Sequence, residues 1–144
     1  MKRFSFRLEK LLNFRLFRER EAEINLGKAI SARDALQLEL DDIALKRVRT
    51  SGERRSQMPL NELLAIEHYI TRLDDTKEKL IEKLVMANIE VEKVREKYIS
   101  ATKNRRVLSK LREKKTTEWK KYVLEEEAAI LDDISNFRNR NGSL

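Results

Sequence analysis

The sequence predicts an all-α protein, a long antiparallel two-helix coiled-coil hairpin with unequal arms. Two apolar repeats carry that expectation: one runs through residues 63–108 at alternating spacings of three and four, and another precedes it over residues 8–47. Between them lies a break containing Gly52 and the single proline, Pro59. Such narrow stripes stay half exposed on isolated helices and need a partner along their length. Composition agrees, because 40% of the 144 residues are charged and only 6% aromatic, which suits a seam rather than a thick core.

The first helix is expected over about residues 4–50. Its stripe consists of Leu8, Leu12, Arg15, Glu19, Ala22, Leu26, Ala29, Arg33, Leu36, Leu40, Ile43 and Arg47, of which eight are apolar. The four charged members leave its register open. Phe4 or Phe6 could staple the helix start, or, with Phe14, serve as apolar anchors for a partner.

The turn, about residues 51–58, lies within RTSGERRSQMP. Gly52 stands where a left-handed C-cap would fall, and Pro59 suits a first helical turn. Lys46, Arg47 and Arg49 complement the dipole at the end of helix 1, as Glu62 does at the start of helix 2.

The second helix is expected over about residues 59–138, closing a single hairpin domain of residues 1–138, with 139–144 as a frayed tail. Its stripe is Leu63, Ile66, Ile70, Leu73, Lys77, Leu80, Leu84, Ala87, Val91, Val94, Tyr98, Ala101, Arg105 and Leu108. At 1.5 Å per residue the two helices would measure roughly 70 and 120 Å. A turn centred near residue 55 makes facing residue numbers sum to about 110, placing Leu8 near Ala101 and Leu40 near Ile70. Everything after about Leu108 would then overhang helix 1. There Val123, Ile130, Ile134 and Phe137 leave the earlier phase, so a stutter or bend is expected between Arg112 and Trp119.

Several function classes find no support. The basic start is interrupted by Glu9, Arg15 and Arg18 before a signal-peptide core can form. No stretch approaches the roughly 20 apolar residues of a membrane span, and there is no cysteine, so a cytoplasmic protein is expected. The three glycines, Gly27, Gly52 and Gly142, make no phosphate-binding loop. His68 has no second imidazole with which to hold a metal. Acidic neighbours such as Asp41 and Asp42 diverge by about 100° around a helix. No catalytic, cofactor or metal site is expected.

Charge is the remaining signal. The net charge is +7, and residues 2–20 hold seven Lys or Arg against two Glu, while residues 103–121 hold nine against two. The hairpin brings both runs to one end. They could simply solvate the coiled coil, but their convergence points to an anionic partner. An acidic protein surface fits better than nucleic acid, since no nucleic-acid-binding module is present and aromatics for stacking are sparse. Trp119, Tyr122, Val123 and Leu124 on the overhang could fold back on the coiled coil or wait for a partner.

The start FSFRLEKLLNFRLFREREAE, with Leu8, Leu12 and Arg15 leading into Ala22, resembles the FliJ family of flagellar type III export proteins. So do HYITRL, the basic RRVLSKLREKK and the acidic EEEAAILDD, in that order. The resemblance covers nearly the whole chain. It implies a non-enzymatic stalk and adaptor whose open end inserts into a hexameric export ATPase and promotes ring assembly. The hairpin would reach the membrane-embedded export gate, and the family is also described as escorting export chaperones. The protein would thus sit at the inner membrane of the flagellar base through its partners. The residues matching the ring-binding end are Arg7, Arg15, Arg105, Arg106, Arg112 and Lys114, joined by Trp119 of the overhang. The residues matching the gate-binding pattern, an aromatic with a leucine four positions later, are Tyr69 and Leu73. The alternative is a generic coiled-coil scaffold or a nucleic-acid-associated protein.

Overall fold

The computed structural model describes residues 3–142. Two helices, α1 (Glu9–Gly52) and α2 (Leu60–Gly142), pack against each other as a helical hairpin, and no strand occurs among the described residues. Their lengths, 44 and 83 residues, make the arms unequal. The chain divides into two compact units. The turn unit comprises residues 20–100, and the terminal unit comprises residues 3–19 with 101–142.

In the turn unit the spacing of three and four does what periodicity demands. Ile70, Leu73, Leu80, Val91 and Val94 are buried, and the intervening stripe residues of α2 are half-buried except Lys77, which is exposed. Ile43, Leu73 and Leu80 form a core cluster against which Leu36 and Leu40 pack. Only Val91 is almost completely enclosed. That is the expected consequence of a two-helix seam, in which each side chain is covered from one side and stability is spread along the length.

The connection differs from the expected symmetric turn. Arg47 pairs with Asp74 and Arg54 with Glu67, so facing residue numbers sum to about 120, not 110. Leu40 accordingly belongs with Leu80 and not with Ile70. The physical reason lies in the connection: Arg54, already past the end of α1, still faces Glu67 of α2, so the chain reverses nearer residue 60 than residue 55. Glu53 and Arg54 donate backbone bonds to the carbonyls of Thr50 and Ser51, tightening the end of α1. Gly52 ends α1 without the left-handed conformation expected of it. Pro59 sits immediately before α2, its carbonyl accepting from the Leu63 amide.

In the terminal unit α1 begins at Glu9 rather than near residue 4. The Glu9 amide donates to Phe6 and the Leu12 amide to Leu8, so a turn at residues 6–9 leads into the helix, with Glu9 favourably placed in its first turn. Pairing of Glu9 with Arg112 and Glu19 with Arg105 gives the same sum of about 120. Leu8 therefore belongs near Leu111 and not Ala101, and residues 3–8 reach Trp119. Cover of α2 extends about fifteen residues beyond Leu108, to Val123.

The phase change falls where it was expected. Beyond Leu108 the covered positions of α2 include Arg112, Thr116, Trp119 and Val123, with Thr116 where an unbroken repeat would place Lys115. Residues 124–142 are exposed throughout. Helix α2 remains helical through Gly142, past the expected limit near 138, so positions 139–142 of the expected frayed tail are helical. Positions 143 and 144 lie outside the described residues.

Candidate functional site

The candidates at the terminal unit divide into inward and outward groups. Arg105 lies on the α2 stripe and reaches Glu19 twice, Nε to Oε2 at 2.5 Å and Nη2 to Oε1 at 3.2 Å. Arg112 donates from Nε to Glu9 at 2.9 Å, and its guanidinium lies 5.6 Å from the Phe4 ring centre. Arg15 donates from Nη1 to the Asn104 carbonyl at 2.8 Å. All three are half-buried and hold α1 to α2. Arg7, Arg106 and Lys114 are exposed.

Trp119 is not left open. Phe4 covers it with ring centres 5.9 Å apart and planes tilted by 56°, an arrangement that favours edge-to-face contact. Around this pair lies a cavity of about 810 Å³ lined by Phe4, Phe6, Leu8, Leu111, Trp119 and Tyr122, with Arg3, Arg7 and Lys115 among its polar residues. Phe4 and Phe6 thus act on the second helix, from a segment ahead of the first.

Of an outward row of cations on α2, the sequence reading named Arg106 and Lys114 and missed Lys103, Lys110 and Lys121. Lys103, Arg106, Lys110, Lys114 and Lys121 are all exposed. Their spacings of three, four, four and seven keep them on the face of α2 turned away from the seam. The signal was present in the spacing: Arg105 sits on the apolar stripe and must point inward, whereas Arg106 and the lysines cannot.

In the turn unit Tyr69 and Leu73 behave differently. Tyr69 is 40% exposed and lines a shallow depression with Lys46, Arg49, Glu53 and Ile66. Leu73 is buried in the core cluster with Ile43 and Leu80. Beside it Arg47 donates from Nε to Asp74 at 2.8 Å. That hydrogen bond and the charge of Arg47 hold the Asp74 carboxyl below its ordinary range, and Asp74 in turn raises the Arg47 guanidinium.

No group of side chains that could hold a metal ion occurs among the described residues, and no described helix is long and apolar enough to cross a membrane. A family model described as flagellar FliJ protein matches residues 4–143. The chain belongs to the FliJ family. No curated protein and no solved structure gives a significant match. FliJ membership makes the protein a component of the flagellar export apparatus. In this FliJ chain Arg15, Arg105 and Arg112, which the resemblance matched to the ring-binding end, join α1 to α2, whereas Lys103, Arg106, Lys110, Lys114 and Lys121 lie on the opposite face of α2.

Proposed function

We propose that this FliJ protein is a non-enzymatic central stalk and adaptor of flagellar export, acting in the cytoplasm at the base of the flagellum. Its terminal unit enters a hexameric export ATPase and promotes ring assembly. Its turn unit contacts the export gate, and the protein also engages export chaperones. The observation that carries the reading is the outward row of Lys103, Arg106, Lys110, Lys114 and Lys121 on a helix 83 residues long. A row of one sign along one helical face suits an acidic ring lumen, because complementary charge speeds association and fixes orientation. Arg7 and the Trp119 region lie in the same unit and contribute to the same contact. Arg15, Arg105 and Arg112 contribute by keeping α1 and α2 together.

The test reverses charges that the fold does not use. Arg106→Glu, Lys110→Glu and Lys114→Glu together should leave helical content unchanged while weakening binding to the purified ATPase and reducing the salt dependence of what remains. Ring binding with native affinity and native salt dependence in this triple variant would overturn the reading. Tight, salt-sensitive binding of the native protein to DNA in preference to the ATPase would favour a nucleic-acid-associated role.

A further inference from the structure

The first turns of α1 sort their charges by side. Residues 2–20 contain two acidic groups, Glu9 and Glu19, and both are turned onto α2, where Arg112 and Arg105 bind them. Arg15 is turned inward as well, onto the Asn104 carbonyl. What remains on the outer side of residues 3–19 is positive: Arg7, Lys10 and Arg18 are exposed. The next acid on that side, Glu21, comes one turn later.

Apolar side chains stand among these cations. Phe14 is 52% exposed and Phe17 62%, with Leu11 beside them at 39%. At 100° per residue, positions 10, 11, 14, 17, 18 and 21 share one face of α1, and Arg7 lies in the turn just ahead of the helix. Arg18 sits over the Phe14 ring at 5.2 Å, so cation and aromatic occupy the same patch. No seam needs these residues, because the α1 stripe runs through Leu8, Leu12 and Arg15 on the other side.

Phenylalanines set among cations, with Glu9 and Glu19 turned onto α2 and Glu21 the acid at the C-terminal edge of the patch, match a surface that is anionic at its face and apolar just beneath. A protein partner of mixed charge would gain nothing from sequestering both glutamates. Single-stranded nucleic acid stacks its bases on aromatics within a concave groove, whereas this face is convex and includes Leu11, which offers no stacking plane. We propose that the outer face of α1 near Phe14 and Phe17 docks directly on anionic phospholipid membrane. The two rings enter the boundary between headgroups and acyl chains, and Lys10 and Arg18 contact lipid phosphates. This contact does not depend on the ATPase-ring reading, which uses the outward row of α2.

Co-sedimentation of the full chain with vesicles tests it. The native protein should sediment with phosphatidylcholine vesicles containing about one-third phosphatidylglycerol and not with phosphatidylcholine alone, the binding weakening with salt. Phe14→Ser with Phe17→Ser should lower binding at least about tenfold at unchanged helical content, since both sites are exposed in the fold. Lys10→Gln should lower it about fivefold, the effect of one basic side chain near such a surface. The triple reversal at Arg106, Lys110 and Lys114 should retain most of the vesicle binding. The proposal is overturned by equal binding to the neutral vesicles, by native binding in the double serine variant, or by a loss in the α2 variant as large as in the double serine variant. A single-stranded oligonucleotide that displaces the vesicles and itself requires Phe14 and Phe17 would assign the face to nucleic acid instead.

Discussion

Glu19 of α1 receives Arg105 of α2 through two nitrogens, at 2.5 and 3.2 Å, at a stripe position where a coiled coil would ordinarily place apolar side chains. The pair is shielded, with side-chain exposures of 24% for Arg105 and 17% for Glu19. It fixes register, because a shift of one residue would leave a charge facing aliphatic neighbours.

Removing one member of this pair should cost more than removing both. Arg105→Met leaves the Glu19 carboxylate half-buried without its main partner, and a loss of about 2 kcal/mol is expected, below the figure for a fully buried pair because water still reaches the site. Arg105→Met combined with Glu19→Leu should fall within about 1 kcal/mol of the native protein. Chemical denaturation of the two single variants and the double checks this. Strict additivity would mean that the pair confers no coupling across the seam.

The Arg47 and Asp74 pair sets an acid-side dependence. The folded Asp74 carboxyl is held below its ordinary value of 3.8, first by the hydrogen bond from Arg47. A group depressed in the folded state contributes stability that is present above the unfolded value and disappears as pH falls through the folded one. Thermal unfolding of the native protein should therefore lose stability as the pH drops below the ordinary aspartate range, and Arg47→Gln should lose less over the same interval. Both side chains are partly solvated, at 47% and 45% exposure, so added salt should shrink the difference between the two proteins. Parallel melting curves at every pH would show that the pair contributes nothing.

Much of the seam was legible because one periodicity served both its sequence and its packing. On α2 every stripe position from Leu63 to Leu108 except Lys77 is buried or half-buried, and on α1 the charged members Arg15, Glu19 and Arg33 are half-buried as well. Register was not legible. It depends on where the connection reverses, which no spacing rule encodes, and the same offset recurs in the pairs Arg54–Glu67, Arg47–Asp74, Arg15–Asn104 and Glu9–Arg112. The start of α1 was missed for a related reason. Phe4 lies ahead of the helix against Trp119, and Phe6 lines the same cavity, a tertiary arrangement that outweighs local preference. At the candidate site, charge composition located the basic end, but only helical phase separates cations that close the hairpin from those that face outward.

The same separation decides what can be asked of Tyr69 and Leu73. Tyr69 is 40% exposed, whereas Leu73 is buried in one cluster with Leu80. Truncating a buried leucine removes its transfer energy and leaves a cavity, so Leu80→Ala and Leu73→Ala should each cost about 2–3 kcal/mol, the lower part of the usual range because a two-helix seam can partly collapse. Tyr69→Ala should cost less than about 1 kcal/mol. If Tyr69 contacts the export gate, its alanine variant should reduce motility and gate binding while melting like the native protein. Leu73→Ala should reduce motility only in proportion to its loss of stability, as Leu80→Ala does. Motility lost in Leu73→Ala beyond that of Leu80→Ala at matched stability would show that Leu73 leaves the seam to meet a partner. Native motility in Tyr69→Ala would remove the gate contact from this surface.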